Sequence, residues 1–254
     1  GVTEGLAAMG RGFAVRDVRV PIVPAAILFD LAFPGRQPWS GEPPYRRLGH
    51  EALARAGRDF ALGNAGAGLG AKTGRLKGGI GSTSLLMADG ATVGALVAVN
   101  SWGSTVRPDC GRLWAYELAL AGEIAPQPVL PAAALDPEDF SGCATAAPGA
   151  NTTIAVVATD VPLGRSACRR LAIMAQDGLA QAIRPAHTPF DGDTVFALAT
   201  GPAGAGGEVD PARLARLGAA AAACLARAVM RAMMAAAPLG GFPSWHQKWG
   251  GSES

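Results

Sequence analysis

Asp89-Gly90 stands between two short runs of apolar and β-branched residues, 82–87 and 91–99. A chain with this dipeptide at such a junction turns back on itself as a β-hairpin, because glycine supplies the positive φ that the tight turn needs. That antiparallel pair fixes how the rest can be arranged. Downstream, 154–158 reads as a buried strand and 166–183 as an amphipathic helix stopped by Pro185. Residues 194–200 read as another strand. Asp210-Pro211 then supplies an N-cap and a first-turn proline for a long Ala-rich helix to about residue 236. Upstream, 1–12 is the end of a helix closing on glycine, and 48–56 is a short helix. Residues 18–30 are apolar but carry Pro21 and Pro24, which makes them an edge or irregular strand. Strands and helices alternating in pairs around a hairpin predict mixed α/β layers rather than a doubly wound parallel sheet.

Of the 254 residues, 49% are hydrophobic and 17% charged, so the chain can bury a proper core. With no repeat and no interdomain linker, 1–254 reads as a single domain. The net charge of +2 is spread without a basic stripe, which argues against nucleic-acid binding. Cys110, Cys143, Cys168 and Cys224 lie far apart with no CxxC pattern, as free thiols in a reducing compartment would. The three histidines lie far apart and form no metal-binding spacing. No uncharged apolar run approaches the length of a membrane span, and no signal-peptide pattern is visible. A cytoplasmic protein without a membrane partner is the default expectation.

Several motifs have to be weighed. The run from Gly66 to Thr73 approaches a phosphate loop, but Ala71 occupies the second glycine position and a hairpin, not a helix, follows. Asp191-Gly-Asp193 resembles a phosphatase motif, yet its apolar strand comes after the aspartates instead of before them; a plain metal or turn reading also stands open. Asn151-Thr-Thr153 fits a glycosylation sequon, a pattern common by chance. The same residues also follow a loop rich in Pro, Ala and Gly (125–150) and precede a strand. A threonine hydroxyl needs a base to become a nucleophile. If the bond before Thr152 breaks, its own α-amine, with a pKa of about 7.7–8.0, can serve. An accessible loop upstream and a rigid strand downstream suit that chemistry, which is one reading among several on physics alone.

Together, Val20-Pro-Ile-Val-Pro, Gly66-Ala-Gly, Lys77-Gly-Gly-Ile-Gly, Asn100 at a strand end, Asn151-Thr-Thr-Ile and His187-Thr-Pro-Phe-Asp-Gly-Asp-Thr-Val-Phe-Ala resemble the P1 family of self-processing peptidases, also called the DmpA-like or S58 family. The match runs in order from about residue 18 to residue 200 and is most like the nylon-oligomer hydrolase branch. The resemblance implies a four-layer αββα sandwich of the DmpA and ornithine-acetyltransferase type. It also implies self-cleavage between Asn151 and Thr152 into 1–151 and 152–254. Thr152 would be the nucleophile, and the Asn100 amide would stabilise the oxyanion. Asp191 and Asp193 would orient the new terminus and tune its charge. A lysine is implied nearby to restrain that terminus, Lys77 as first choice and Lys72 as second. The substrate would be a small amide or peptide, no metal or organic cofactor is implied, and the processed heterodimers would assemble into a homo-oligomer, a tetramer in relatives.

Two departures stand out. Phe29 occupies a position where some relatives carry a tyrosine, so a phenolic donor is missing. Family members also begin with a further stretch, so the chain is expected to be N-terminally incomplete. The alternatives are an acyltransferase of the ornithine acetyltransferase type, and a non-catalytic member that does not process itself.

Overall fold

The structure, a computed structural model, describes residues 1–35, 39–132, 134–145, 149–202 and 209–250. These fall into two compact units, one made of Gly1–Ile27 and Gly35–Phe60, the other of Leu28–Pro34 and Ala61–Ser254.

The first unit carries helix α1 (Val2–Ala8), a hairpin of β1 (Phe13–Val15) and β2 (Val18–Val20), and helix α2 (Tyr45–Ala54). Only three residues of the apolar 18–30 run pair as strand, since Pro21 and Pro24 withhold the N–H groups that a longer ladder needs. Glu4 on α1 ties to Arg46 and His50 on α2, each at 2.9 Å. The Arg46 guanidinium, with help from His50, holds the Glu4 carboxyl down to about 2.

The second unit is built on a mixed four-stranded sheet of Gly79–Leu86, Thr92–Val99, Ile154–Thr159 and Thr194–Ala199, side by side in that order. Before it come the short antiparallel pair β3 (Lys72–Thr73) and β4 (Leu76–Lys77). The hairpin expected around Asp89-Gly90 forms between β5 (Gly79–Leu86) and β6 (Thr92–Val99). Gly90 has φ +82°, and Met87 and Ala91 close the turn through their backbone. Strand β7 (Ile154–Thr159) pairs antiparallel to β6, and β8 (Thr194–Ala199) pairs parallel to β7 after the crossover helix α3 (Arg165–Ala182). Helix α4 (Pro211–Ala235) starts where Asp210 accepts the Arg213 N–H, and a short helix α5 (Trp245–Trp249) follows.

Alternation decides which sheet face is covered. Val93, Ala95, Val97 and Val99 of β6, with Ala155 and Val157 of β7, are buried against Leu171, Ala175 and Leu179 of α3 and the inner face of α4. The two helices approach closely because Gly178 faces the backbone of α4, where a Cβ would stand 2.2 Å from the Ala222 oxygen. Helix α4 is long and apolar enough to cross a membrane, but 78% of its most apolar window is buried within the protein, as in a core helix. Because β6 runs against β7 and β7 runs with β8, the end of β6 and the starts of β7 and β8 meet at one edge of the sheet. Asn100, Thr152 and Asp193 sit there, each within two residues of its strand.

Candidate active site

Strand pairing brings these residues together. The Thr152 N–H donates to the Asn100 carbonyl at 2.7 Å, and the Thr153 carbonyl accepts the Thr194 N–H at 2.9 Å. One step earlier, Asn151 bridges Asp191 in parallel register, and the Asn151 carbonyl accepts the Gly192 N–H at 3.0 Å. The Thr152 hydroxyl lies 2.6 Å from that same Asn151 carbonyl oxygen and donates to it. Asn151, Thr152 and Thr153 are all buried, so the peptide bond between Asn151 and Thr152 is held by sheet hydrogen bonds from both sides.

The two aspartates fix the backbone around the threonine. One oxygen of Asp193 accepts the Thr153 N–H at 3.0 Å, and the other meets His187 Nδ1 at 2.8 Å and the His187 N–H at 3.4 Å. Burial raises the Asp193 carboxyl above its usual range and the nearby Asp191 charge adds to this, against the pull of Thr153 and His187. Asp191 accepts the Trp102 N–H at 2.8 Å on one oxygen and the Thr188 hydroxyl at 2.6 Å on the other. In the continuous chain, then, the Asp193 carboxylate holds the residue after Thr152, the Asp191 carboxylate holds Trp102 and Thr188, and the hydroxyl of Thr152 is directed at Asn151.

Asn100 is fully buried at the end of β6. Its Oδ1 accepts the Lys72 N–H at 3.1 Å, and its amide nitrogen donates to the Phe29 carbonyl at 3.4 Å. Lys72 and Lys77 are direct partners across the β3-β4 pair. Lys77 is completely buried and donates from Nζ to the carbonyls of Gly68 at 2.6 Å and Gly78 at 2.8 Å; burial lowers it to about 8. Lys72 lines a cavity of about 390 Å³ together with Phe29, Asp30, Phe33, Arg75 and Ala150, and partial burial lowers its pKa too. Lys72 is therefore the lysine whose backbone N–H meets the Asn100 side chain, whereas the Lys77 ammonium is committed to the glycine loop.

Three contributors are not evident from the sequence motifs. They are His187, which holds Asp193; Gly192, whose N–H reaches the Asn151 carbonyl; and the Trp102 N–H, which holds Asp191 from 89 residues away. His187 and Gly192 stand inside a quoted motif, but nothing in their spacing tells which way they point.

The chain matches the family model described as Peptidase family S58 over residues 4–246. An uncharacterized aminopeptidase of Mycobacterium tuberculosis is 44% identical over 260 residues, covering 99% of this chain and 74% of its own length. One of Mycobacterium leprae is 42% identical over 267 residues, with 96% and 70% covered. Among solved structures, a Burkholderia sp. beta-aminopeptidase superposes with TM-score 0.57 at 24% identity, over 98% of this chain and 68% of that one. An L-aminopeptidase D-Ala-esterase/amidase of Ochrobactrum anthropi, described as a variant of the Ntn hydrolase fold, gives TM-score 0.52 at 24% identity and 77% coverage. The chain spans about half the length of that protein, 51%. These likenesses establish the fold as the layered α/β sandwich of Ntn-hydrolase aminopeptidases.

Proposed function

The chain belongs to peptidase family S58, and from that premise we propose that it cleaves itself between Asn151 and Thr152 and then hydrolyses small amides or peptides through an acyl-enzyme on Thr152. The observation that carries this reading is the Thr152 hydroxyl, 2.6 Å from the carbonyl oxygen of the bond to be broken, on a segment pinned by β6 and β8. Holding reactants in place in this way removes much of the entropic part of a barrier.

Cleavage frees the Thr152 α-amine beside its own hydroxyl, so that one residue is both base and nucleophile. Its nitrogen already lies 2.7 Å from the Asn100 carbonyl, which would keep the new terminus in register. Asp193 holds Thr153, the next residue, and so acts as a positioning residue. The Asn100 amide is the oxyanion donor for substrate hydrolysis, reached when a substrate carbonyl displaces its contact with Phe29. Lys72 stands on the wall of the adjacent cavity, where a positive charge would restrain protonation of the new amine.

Substrates of this reading are amides with a small amine-bearing acyl part. The closeness to nylon-oligomer hydrolases rests on Asn151-Thr-Thr and Asp191-Gly-Asp193-Thr, and extends the proposal to oligoamides. The proposed working form is an oligomer of processed heterodimers.

Intact-mass measurement tests the self-cleavage directly. Wild-type protein is expected as fragments 1–151 and 152–254, and Thr152→Ala as one mass. An uncut wild-type chain that is folded would refute the reading.

A further inference from the structure

We infer that the backbone N–H of Gly192 is the oxyanion donor for self-cleavage, a different group from the Asn100 amide proposed for substrate hydrolysis. This rests on the reading that the Asn151–Thr152 bond is the one broken. Three observations point to it. The Gly192 N–H already donates to the Asn151 carbonyl at 3.0 Å, the oxygen on which negative charge gathers during attack. Asn100 is occupied elsewhere, its amide nitrogen on Phe29 and its Oδ1 on Lys72. Gly192 also has to be a glycine, because a Cβ there would stand 2.9 Å from the Thr152 hydroxyl oxygen and push the nucleophile from its place.

The parallel ladder explains how an ordinary sheet hydrogen bond becomes a catalytic one. Thr194 binds the Thr153 carbonyl at 2.9 Å, and two residues earlier the same strand presents Gly192 to Asn151. The donor is thus set by β7-β8 register and needs no reorganisation during reaction, which is what gives fixed dipoles their catalytic strength.

The atoms balance as follows. Thr152 Oγ bonds to the Asn151 carbonyl carbon, and the C=O π pair moves onto oxygen, where the Gly192 N–H stabilises it. The Oγ proton passes to that oxygen, with which it is already hydrogen bonded. On collapse the C–N bond breaks, its electron pair leaves on the Thr152 nitrogen, and the same proton follows. The products are an ester and a free amine. Water then adds to the ester, restoring the Thr152 hydroxyl and releasing the Asn151 carboxylate, and the remaining proton passes to the freed Thr152 amine.

The test compares Gly192→Pro, which lacks the N–H, with Gly192→Ala, which keeps the N–H and adds the same Cβ, and with Asn100→Ala. Cell-free synthesis followed by intact mass gives the cleavage rate. Turnover of an aminoacyl p-nitroanilide, per Thr152 titrated with an acylating probe, gives hydrolysis. Gly192→Pro is expected to cleave about 10²–10³-fold more slowly than Gly192→Ala, the usual cost of one lost oxyanion donor, and, relative to that variant, to lose more in cleavage than in hydrolysis. Asn100→Ala is expected to show the opposite imbalance. A Gly192→Pro chain that cleaves as fast as Gly192→Ala would overturn the assignment. So would an Asn100→Ala chain that loses cleavage as heavily as hydrolysis, an arm that decides the matter even if the proline variant fails to fold. Wild-type cleavage with either of those results removes only this assignment; absence of wild-type cleavage removes the parent reading with it.

Discussion

His187 Nδ1 lies 2.8 Å from one carboxylate oxygen of Asp193, whose other oxygen holds the Thr153 N–H at 3.0 Å. The histidine thus acts through one intermediary on the residue beside Thr152, the proposed nucleophile. It does so from a left-handed backbone conformation, φ +56°, which few residues other than glycine adopt without cost. Replacing it removes the polar partner of a buried carboxylate, and the Thr153 segment loses its fixed geometry.

His187→Val, which loses both the ring and tolerance of positive φ, is expected to slow self-cleavage by about tenfold or more. His187→Asn retains a donor and suits left-handed backbone, so it should recover part of that loss. The time course of fragment appearance by mass spectrometry checks both. Equal rates in the asparagine and valine variants would show that the contact with Asp193 does not matter.

Asp193 carries a pH signature. Its folded-state carboxyl is raised, chiefly by burial, above the value it would have unfolded. A raised acid contributes stability that is present below the unfolded pKa and is lost as pH rises through the folded one. In a Thr152→Ala background, which keeps the chain whole, Asp193→Asn should therefore gain on its parent as pH rises out of the carboxylate range. Urea unfolding of both proteins from pH 4 to pH 7 measures the gap. A stability difference, variant minus parent, that stays constant or falls with rising pH would contradict this sign.

The parts of this fold that show in the sequence are those set by neighbouring residues. Asp89-Gly90 makes its hairpin, and Asp210-Pro211 starts α4 where its cap dictates. Thr152, Asn100, Asp191 and Asp193 stand out as motif positions, and strand pairing gathers them at one sheet edge. Helix α5 had a local signal too, since Ser244-Trp-His-Gln247 has capping-box spacing and the serine does accept the Gln247 N–H, but it lies in a glycine-flanked tail. What stays hidden depends on distant chain segments. Whether Lys72 or Lys77 faces the site is decided by the β3-β4 turn, which makes them cross-strand partners with different surroundings. Trp102 reaches Asp191 across 89 residues through a backbone N–H, which no side-chain motif can encode.

Lys77 gives a second pH prediction of opposite sign. Burial lowers its ammonium from 10.5 to about 8. Between those two values the unfolded chain binds more protons than the folded one, so this lysine makes stability rise with pH there. Lys77→Met also strands the Gly68 and Gly78 carbonyls and should be less stable throughout. The informative quantity is the difference between wild type and variant. It is expected to widen from about pH 8 toward pH 10, as followed by chemical denaturation, and a flat difference would mean that the amine is solvated.

Gly81 and Gly94 lie on adjacent strands of the hairpin that carries Asn100, and they should respond very differently to the same substitution. A Cβ at Gly81 would stand 1.9 Å from the Ala228 carbonyl oxygen and 2.6 Å from the Ala232 nitrogen, both backbone atoms of α4. Helix backbone in a packed core cannot rotate aside as a side chain can, so β5 and α4 would have to separate. Overpacking of this kind costs about 1–3 kcal/mol. At Gly94 the nearest atom to a Cβ is 3.5 Å away, an ordinary contact. Gly81→Ala is thus expected to lower the unfolding free energy by about 3 kcal/mol, while Gly94→Ala changes it by about 0.5 kcal/mol or less. The displacement at Gly81 is transmitted along the sheet to the β6 terminus, so Gly81→Ala should also cleave itself more slowly below its melting transition. Measuring both glycine variants by thermal unfolding and intact mass separates the two effects. Normal cleavage in a destabilised Gly81→Ala chain would show that the sheet edge holding Asn100 and Thr152 is mechanically independent of α4.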